Sequence, residues 1–193
     1  MSVFFISDTH FDHAKIIGYT NRPFKDKDEM NAAMIFNWAN TVGCEDEVYH
    51  LGDVALGGGR NSVEDAVKVL NDLPGKKYLV PGNHDVHLDI LEKAFVILPL
   101  IFEISVQLWT NQKKQVFELC HYPMLSWPKE YKGSIHLHGH VHGKKVGDRH
   151  VIRRIDIGVD VWGFTPVKTE TIMSNVKHGE KQHPELCYEN FTK

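Results

Sequence analysis

Residues 78–85 read YLVPGNHD, and this stretch decides the fold. Residues 78–80 form an apolar run of a buried strand's length. The run stops at Pro81-Gly82 and gives way to the polar group Asn83-His84-Asp85. Outward from here the same form recurs along the chain. Residues 3–6 lead into Asp8-Thr9-His10, residues 48–51 into Gly52-Asp53, residues 115–119 into Cys120-His121, and residues 134–137 into Gly139-His140-Val141-His142. Buried strands with polar loops at their carboxyl ends are how α/β sheets gather ligands along one edge.

Helical patterns separate the early strands. Over residues 26–42, Met30, Ala33, Met34, Asn37, Trp38 and Thr41 fall at helix spacing, with Asp26 and Glu29 as a capping pair and Gly43 as a stop. Over residues 62–73, Val63, Ala66, Val67 and Leu70 share one face, and Pro74-Gly75 ends it. Gly57-Gly58-Gly59 is loop. Strands then dominate. Residues 101–108 and 115–119 form an antiparallel pair around Asn111-Gln112, followed by strands over 134–137, 151–157 and 167–172. This order predicts an α/β sandwich of two mainly mixed β-sheets flanked by helices. It spans one domain, residues 1–174, followed by a loose polar tail, residues 175–193.

Composition narrows the function. The chain has 193 residues, 42% apolar and 24% charged, as in an ordinary soluble single domain. A net charge of −3 argues against a protein built chiefly to grip nucleic acid, although a nuclease needs only a local basic patch. Cys44, Cys120 and Cys187 contain no CxxC, which disfavours a disulfide framework or a cysteine-only zinc site and fits a reducing, cytoplasmic setting. The opening MSVFFISDTH lacks a basic leader and a cleavage pattern, so it reads as a first strand. No apolar run approaches the ~20 residues of a membrane span.

The 13 histidines form no tract, and several stand beside Asp, Asn and Gly at strand ends. Together the strand-end clusters supply two aspartates, an asparagine and at least four histidines, a mixed nitrogen and oxygen set. Such a set suits Mn, Fe, Zn, Co or Ni better than Ca or Mg. Seven ligands are too many for one tetrahedral zinc and suit two ions roughly 3.5–4 Å apart that share a carboxylate.

The ordered blocks Asp8-Thr9-His10, Gly52-Asp53, Gly82-Asn83-His84-Asp85, His121 and Gly139-His140-Val141-His142 resemble the signature of calcineurin-like metallophosphoesterases. The surrounding phrases HLGDVALGG, PGNHD, CHYPMLSW, LHGHVHG and GVDVWGFTPV are similar to a subgroup of small bacterial and phage phosphoesterases. The resemblance implies a metallophosphoesterase-type sandwich and a hydrolase with a binuclear metal centre. Asp8, His10, Asp53 and His142 would hold one ion, and Asp53, Asn83, His121 and His140 the other, with Asp53 as the bridge. A hydroxide between the ions would attack phosphorus, His84 would act as general acid, and Asp85 would orient His84. Mn²⁺ is the expected ion in vitro, with Fe, Zn, Co or Ni as alternatives.

Each block alone has a plainer reading: Asp8 and His10 as helix-capping loop residues, Gly82-Asn83 as a turn, His140 and His142 as a solvent-facing stripe. Only their joint order overturns these. His13 either reaches the site or caps a short helix. Arg22 either contacts a substrate phosphate or sits on a surface loop. His50, His136 and His138 read as structural, and Trp109, Trp127 and Trp162 as core. Lys144, Lys145, Arg149, Arg153 and Arg154 read as a solvated hairpin face before a phosphate-binding one. The expected substrate is a small phosphodiester or nucleotide, because the chain has little room for a specificity domain. The alternatives are a nuclease on the same site, with nucleic acid as partner, or a non-catalytic metal-binding scaffold. His84 beside Asp85 favours the enzyme.

Overall fold

Strand β1 (Val3–Ile6) sends its side chains alternately into two interiors. Phe4 and Ile6 join one apolar cluster and Phe5 the other. Both faces are covered because β1 is central. It pairs in parallel with β2 (Glu47–His50) and antiparallel with β9 (Val167–Lys168). Strands β3 (Lys76–Leu79) and β4 (Val96–Ile97) extend this sheet in parallel, in the order β4-β3-β2-β1-β9. A second sheet orders β5 (Ile101–Val106), β6 (Gln115–Cys120), β7 (Ile135–His138) and β8 (Arg154–Asp156), with β5 antiparallel to β6 and the rest parallel. Two mixed sheets with flanking helices make the expected α/β sandwich. The computed structural model describes residues 1–108, 114–146 and 153–178.

Between β1 and β2 lie α1 (Ala14–Thr20) and α2 (Lys27–Thr41). Asp26 caps α2 by accepting from the Glu29 N–H at 2.8 Å, and Glu29 accepts from the Lys25 N–H at 2.8 Å. Met30, Met34 and Trp38 recur every fourth residue as a buried stripe against the first sheet. Helix α3 (Arg60–Asp72) buries Val63, Ala66, Val67 and Leu70 in the same cluster. The other cluster lies between the sheets, where Phe5, Tyr49 and Leu51 meet Phe117, Leu119, Ile135 and Leu137.

The last third departs from expectation. Residues 167–172 do not stay extended: β9 ends at Lys168 and α5 (Thr169–His178) starts at once. A short β-branched run suits either state, and the spacing of Ile172, Met173 and Val176, packed on the inter-sheet cluster, selects the helix. Helix α5 also runs past residue 174, so residues 175–178 are helix rather than loose tail. The rest of that tail, the turn at Asn111-Gln112, Trp109 and the start of the 151–157 strand lie outside the described residues. Helix α1, the single turn α4 (Leu88–Leu91) and strand β4 are too short to carry a readable period. No described helix is long and apolar enough to cross a membrane.

Candidate metal centre

Strands β1, β2, β3, β6 and β7 deliver their following loops to one edge of the sandwich. Backbone bonds lock the loops together. The Asp8 N–H donates to Gly52 O at 3.0 Å, His10 N–H to Asp53 O at 3.0 Å, Gly139 N–H to His121 O at 3.0 Å, and Val159 N–H to Ser7 O at 3.0 Å. Five candidate ligands occupy left-handed backbone: Asp8, His10, Asp53, His140 and His142 have φ of 57°, 51°, 58°, 71° and 51°. This conformation costs a non-glycine residue about 1 kcal/mol, and such strain concentrates at functional sites. Glycines give the room. A Cβ on Gly139 would strike Ser7 Oγ and the Asp8 carboxylate, and one on Gly52, itself at φ 92°, would strike Gly82 and the His121 ring. This is the physical reason for a glycine in the G-D and G-H blocks.

The loops bring the seven predicted ligands together in two groups. Asp8, His10 and His142 each offer one ligand atom within 4.8 Å of the others, and so do Asp53, His121 and His140. Asp53 Oδ2 lies 3.6 Å from His10 Nε2 and 3.5 Å from His121 Nε2, so this carboxylate faces both groups. Asn83 Oδ1 lies 3.1 Å from His121 Nε2. The His140 N–H donates to both oxygens of Asp8 at 3.0 Å, tying one group to the other.

The donor set fits cations. His121 Nδ1 donates to Leu51 O at 2.7 Å, which leaves Nε2 as a lone pair facing the oxygens of Asn83 and Asp53. A positive ion reconciles those three electron-pair donors. His10 Nε2 is buried without a hydrogen-bond partner. Burial, reinforced by Arg22 and the neighbouring histidines, holds the His10 pKa at about 2, so its ring stays neutral and able to coordinate. Burial, then the charges of Asp156 and Asp53, push the Asp8 carboxyl well above the usual range. A bound cation would relieve all three.

Other predicted residues fall differently. Asp85 does not orient His84. Its Oδ2 accepts from the N–H groups of Asp53 and Gly82, each at 2.8 Å, and its Oδ1 accepts from Val54 at 3.0 Å, so it braces the ligand loops. The His84 N–H donates to Asp53 Oδ1 at 2.9 Å, and its ring stands 42% exposed at the mouth with Nε2 4.0 Å from Asp53 Oδ2. Arg22 is neither a phosphate contact nor a surface residue: its side chain is fully buried against Asp160. His13 takes the N-cap position of α1 without capping it, and its Nδ1 lies 3.4 Å from His10 Nδ1. His50, His136 and His138 are buried and bonded to Thr9 Oγ1, Glu118 O and Gly139 O, the structural roles expected of them. Of the basic stretch, Lys144, Lys145 and Arg153 are exposed and Arg154 is half-buried. Arg154 donates to Val146 O and Met124 O, and Arg149 lies outside the described residues.

Sequence reasoning missed Asp156 and Asp160. Asp156 accepts from the N–H groups of Gly143 and Gly158, both at 2.8 Å. Asp160 accepts from His142 Nδ1 at 2.7 Å. Burial pushes the Asp160 carboxyl up, but His142 and Arg22 outweigh burial and hold it at about 2. The signal was present: two aspartates inside the apolar run IDIGVDV (155–161) must be partnered where they are buried.

Comparison with known proteins agrees with this geometry. The family model for calcineurin-like phosphoesterases matches residues 1–144. The uncharacterized protein MJ1445 of Methanocaldococcus jannaschii is 34% identical over 182 residues, covering 92% of this chain and 93% of its own. The gene 66 protein of Mycobacterium phage L5 is 29% identical over 199 residues, covering 92% and 95%. Among solved structures, a protein of unknown function from Aquifex aeolicus, AQ665, superposes with a TM-score of 0.69 at 26% identity, covering 90% of this chain and 98% of that one.

Proposed function

The chain belongs to the calcineurin-like phosphoesterase family, a family of metal-dependent phosphoric ester hydrolases, and on that premise we propose a phosphodiesterase that holds two divalent ions and cleaves small diesters or nucleotides. The observation that carries this reading is Asp53, whose Oδ2 faces His10 at 3.6 Å and His121 at 3.5 Å. A short carboxylate between two ligand groups is what a shared bridge requires. Asp8, His10, Asp53 and His142 would hold one ion, and Asp53, Asn83, His121 and His140 the other. When bound, such a pair supplies a nucleophile from water near neutral pH and neutralises phosphoryl charge. Mn²⁺ suits this donor set in vitro.

The chain's own groups do the rest. Asn83 offers an oxygen without adding charge. His84, half exposed beside Asp53, gives a ring proton to the departing oxygen. A cleft of about 500 Å³ opens beside His13, lined by Asp12, Lys15, Lys27, Gly57 and Gly59. Its place beside His13, whose Nδ1 lies 3.4 Å from His10 Nδ1, would give room for an organic group next to the scissile phosphate, and the Lys27–Asp12 pair at 2.7 Å leaves its lining mixed in charge.

The test is hydrolysis of bis-p-nitrophenyl phosphate beside p-nitrophenyl phosphate, with metal-stripped protein and Mn²⁺ added back. Manganese-dependent turnover with preference for the diester is expected. His84→Ala lowers kcat by about 10²–10⁴-fold, and more for an alkyl leaving group than for p-nitrophenolate, which needs little protonation. Monoester preference would instead make the protein a phosphatase. Silence on both substrates with two ions bound would favour the scaffold.

A further inference from the structure

We propose that Arg22 and Asp160 are positioning residues that set metal affinity chiefly at the group Asp8, His10 and His142, with a smaller effect at the other group. This rests on the two-ion reading above. Asp160 Oδ2 accepts from His142 Nδ1 at 2.7 Å, which leaves His142 Nε2 as the lone pair available to an ion. The guanidinium of Arg22 holds that carboxylate in a two-pronged grip, Nε to Oδ1 at 2.8 Å and Nη2 to Oδ2 at 2.9 Å. The same guanidinium reaches the opposite loop, donating from Nη2 to Asp8 O at 2.7 Å and from Nη1 to Thr9 O at 3.0 Å. Nη1 also lies 3.3 Å from Met30 Sδ, and the guanidinium stacks 5.6 Å from the Phe164 ring centre. One cation therefore braces both the backbone that carries Asp8 and the carboxylate that aims His142.

The side chain of Arg22 is 0% exposed and that of Asp160 is 8% exposed. An ion pair this deep contributes little net stability, because desolvation offsets its attraction. Its geometry is instead directed at the ligands. Apart from Met30 and Phe164, the described side-chain contacts of the pair run to Asp8, Thr9 and His142, and none reaches Asn83, His121 or His140. Loss of the pair thus acts first on one group, and reaches the other only through the Asp8–His140 bonds and Asp53. Removal of such a partner typically weakens metal binding by about 10–100-fold.

The experiment is Mn²⁺ titration by calorimetry, with EPR of the loaded protein, on wild type, Asp160→Ala, Asp160→Asn and Arg22→Lys. Wild type should bind two ions and give the spectrum of a coupled pair. In Asp160→Ala one ion should bind about 10–100-fold more weakly and the other be much less affected, with the six-line signal of a lone Mn²⁺ appearing below saturation. Asp160→Asn, whose amide oxygen still accepts from His142, should recover part of the affinity. Wild-type affinity for both ions in folded Asp160→Ala overturns the proposal, and so does an equal loss at both. Should Asp160→Ala fail to fold, Arg22→Lys keeps the charge and loses the fork. It should weaken the same ion, and unchanged affinity there is equally decisive against the proposal. A wild type that binds fewer than two ions overturns the two-ion reading itself, which is visible before any variant is compared.

Discussion

Three backbone N–H groups converge on the buried carboxylate of Asp85, from Asp53, Val54 and Gly82. They hold the loop after β2 against the loop after β3, and so hold Asp53 and Asn83 in register. An amide in place of the carboxylate offers one acceptor and turns an N–H₂ toward the donors. Each buried donor left unsatisfied costs about 1–3 kcal/mol. Asp85→Asn should therefore lower the stability of the metal-free protein by about 2–4 kcal/mol, read as a lower urea midpoint at unchanged m. An unchanged midpoint would show that the loops are held by other contacts. Adjacency misled the sequence reading here: Asp85 follows His84 in the chain, but its side chain turns back toward β2.

At the scale of elements, β5 and β6 place Glu103 directly opposite Glu118. Like charges in that position repel. Glu118 is 2% exposed, and Lys129 binds Glu103 at 2.5 Å. Burial first, then the hydrogen bond and charge of Glu103, push Glu118 from its ordinary 4.5 up to about 7. A raised acid pKa means that the folded chain keeps a proton the unfolded chain has released. The stabilising contribution is therefore complete below about pH 4.5 and is lost as pH rises toward about 7. Glu118→Gln mimics the protonated form. Its urea midpoint should fall less than that of wild type between about pH 5 and about pH 8. Parallel profiles would show that Glu118 ionises normally.

For the whole molecule, the candidate ligands come from both sheets: Asp8, His10, Asp53 and Asn83 follow strands of the first, His121, His140 and His142 strands of the second. Ions held between them would fasten the two sheets at one edge. Each ion at 100 times its Kd adds about 2.7 kcal/mol of stability. For a chain of this size that is about 5–10 °C in Tm. Chelation with EDTA should lower the calorimetric Tm by that amount per ion, and Mn²⁺ should restore it. An unchanged Tm would mean that the folded chain holds no ion.

Residue type and local spacing were enough to read the strand-then-polar-loop form, the Asp26–Glu29 cap of α2 and the two-sheet sandwich, and the seven candidate ligands came from the resemblance of the ordered blocks to a family signature. Those signals are local, and strand ends of one sheet necessarily lie near one another. The burial of Arg22, its pairing with Asp160 at a separation of 138 residues, the backbone-bracing role of Asp85 and the helix from Thr169 were visible only in the folded chain. A hydrogen-bond partner is chosen by which loops meet. A short β-branched run takes its conformation from the surface it packs on. Neither is written in the spacing of residues, because both depend on contacts that exist only once the two sheets have come together.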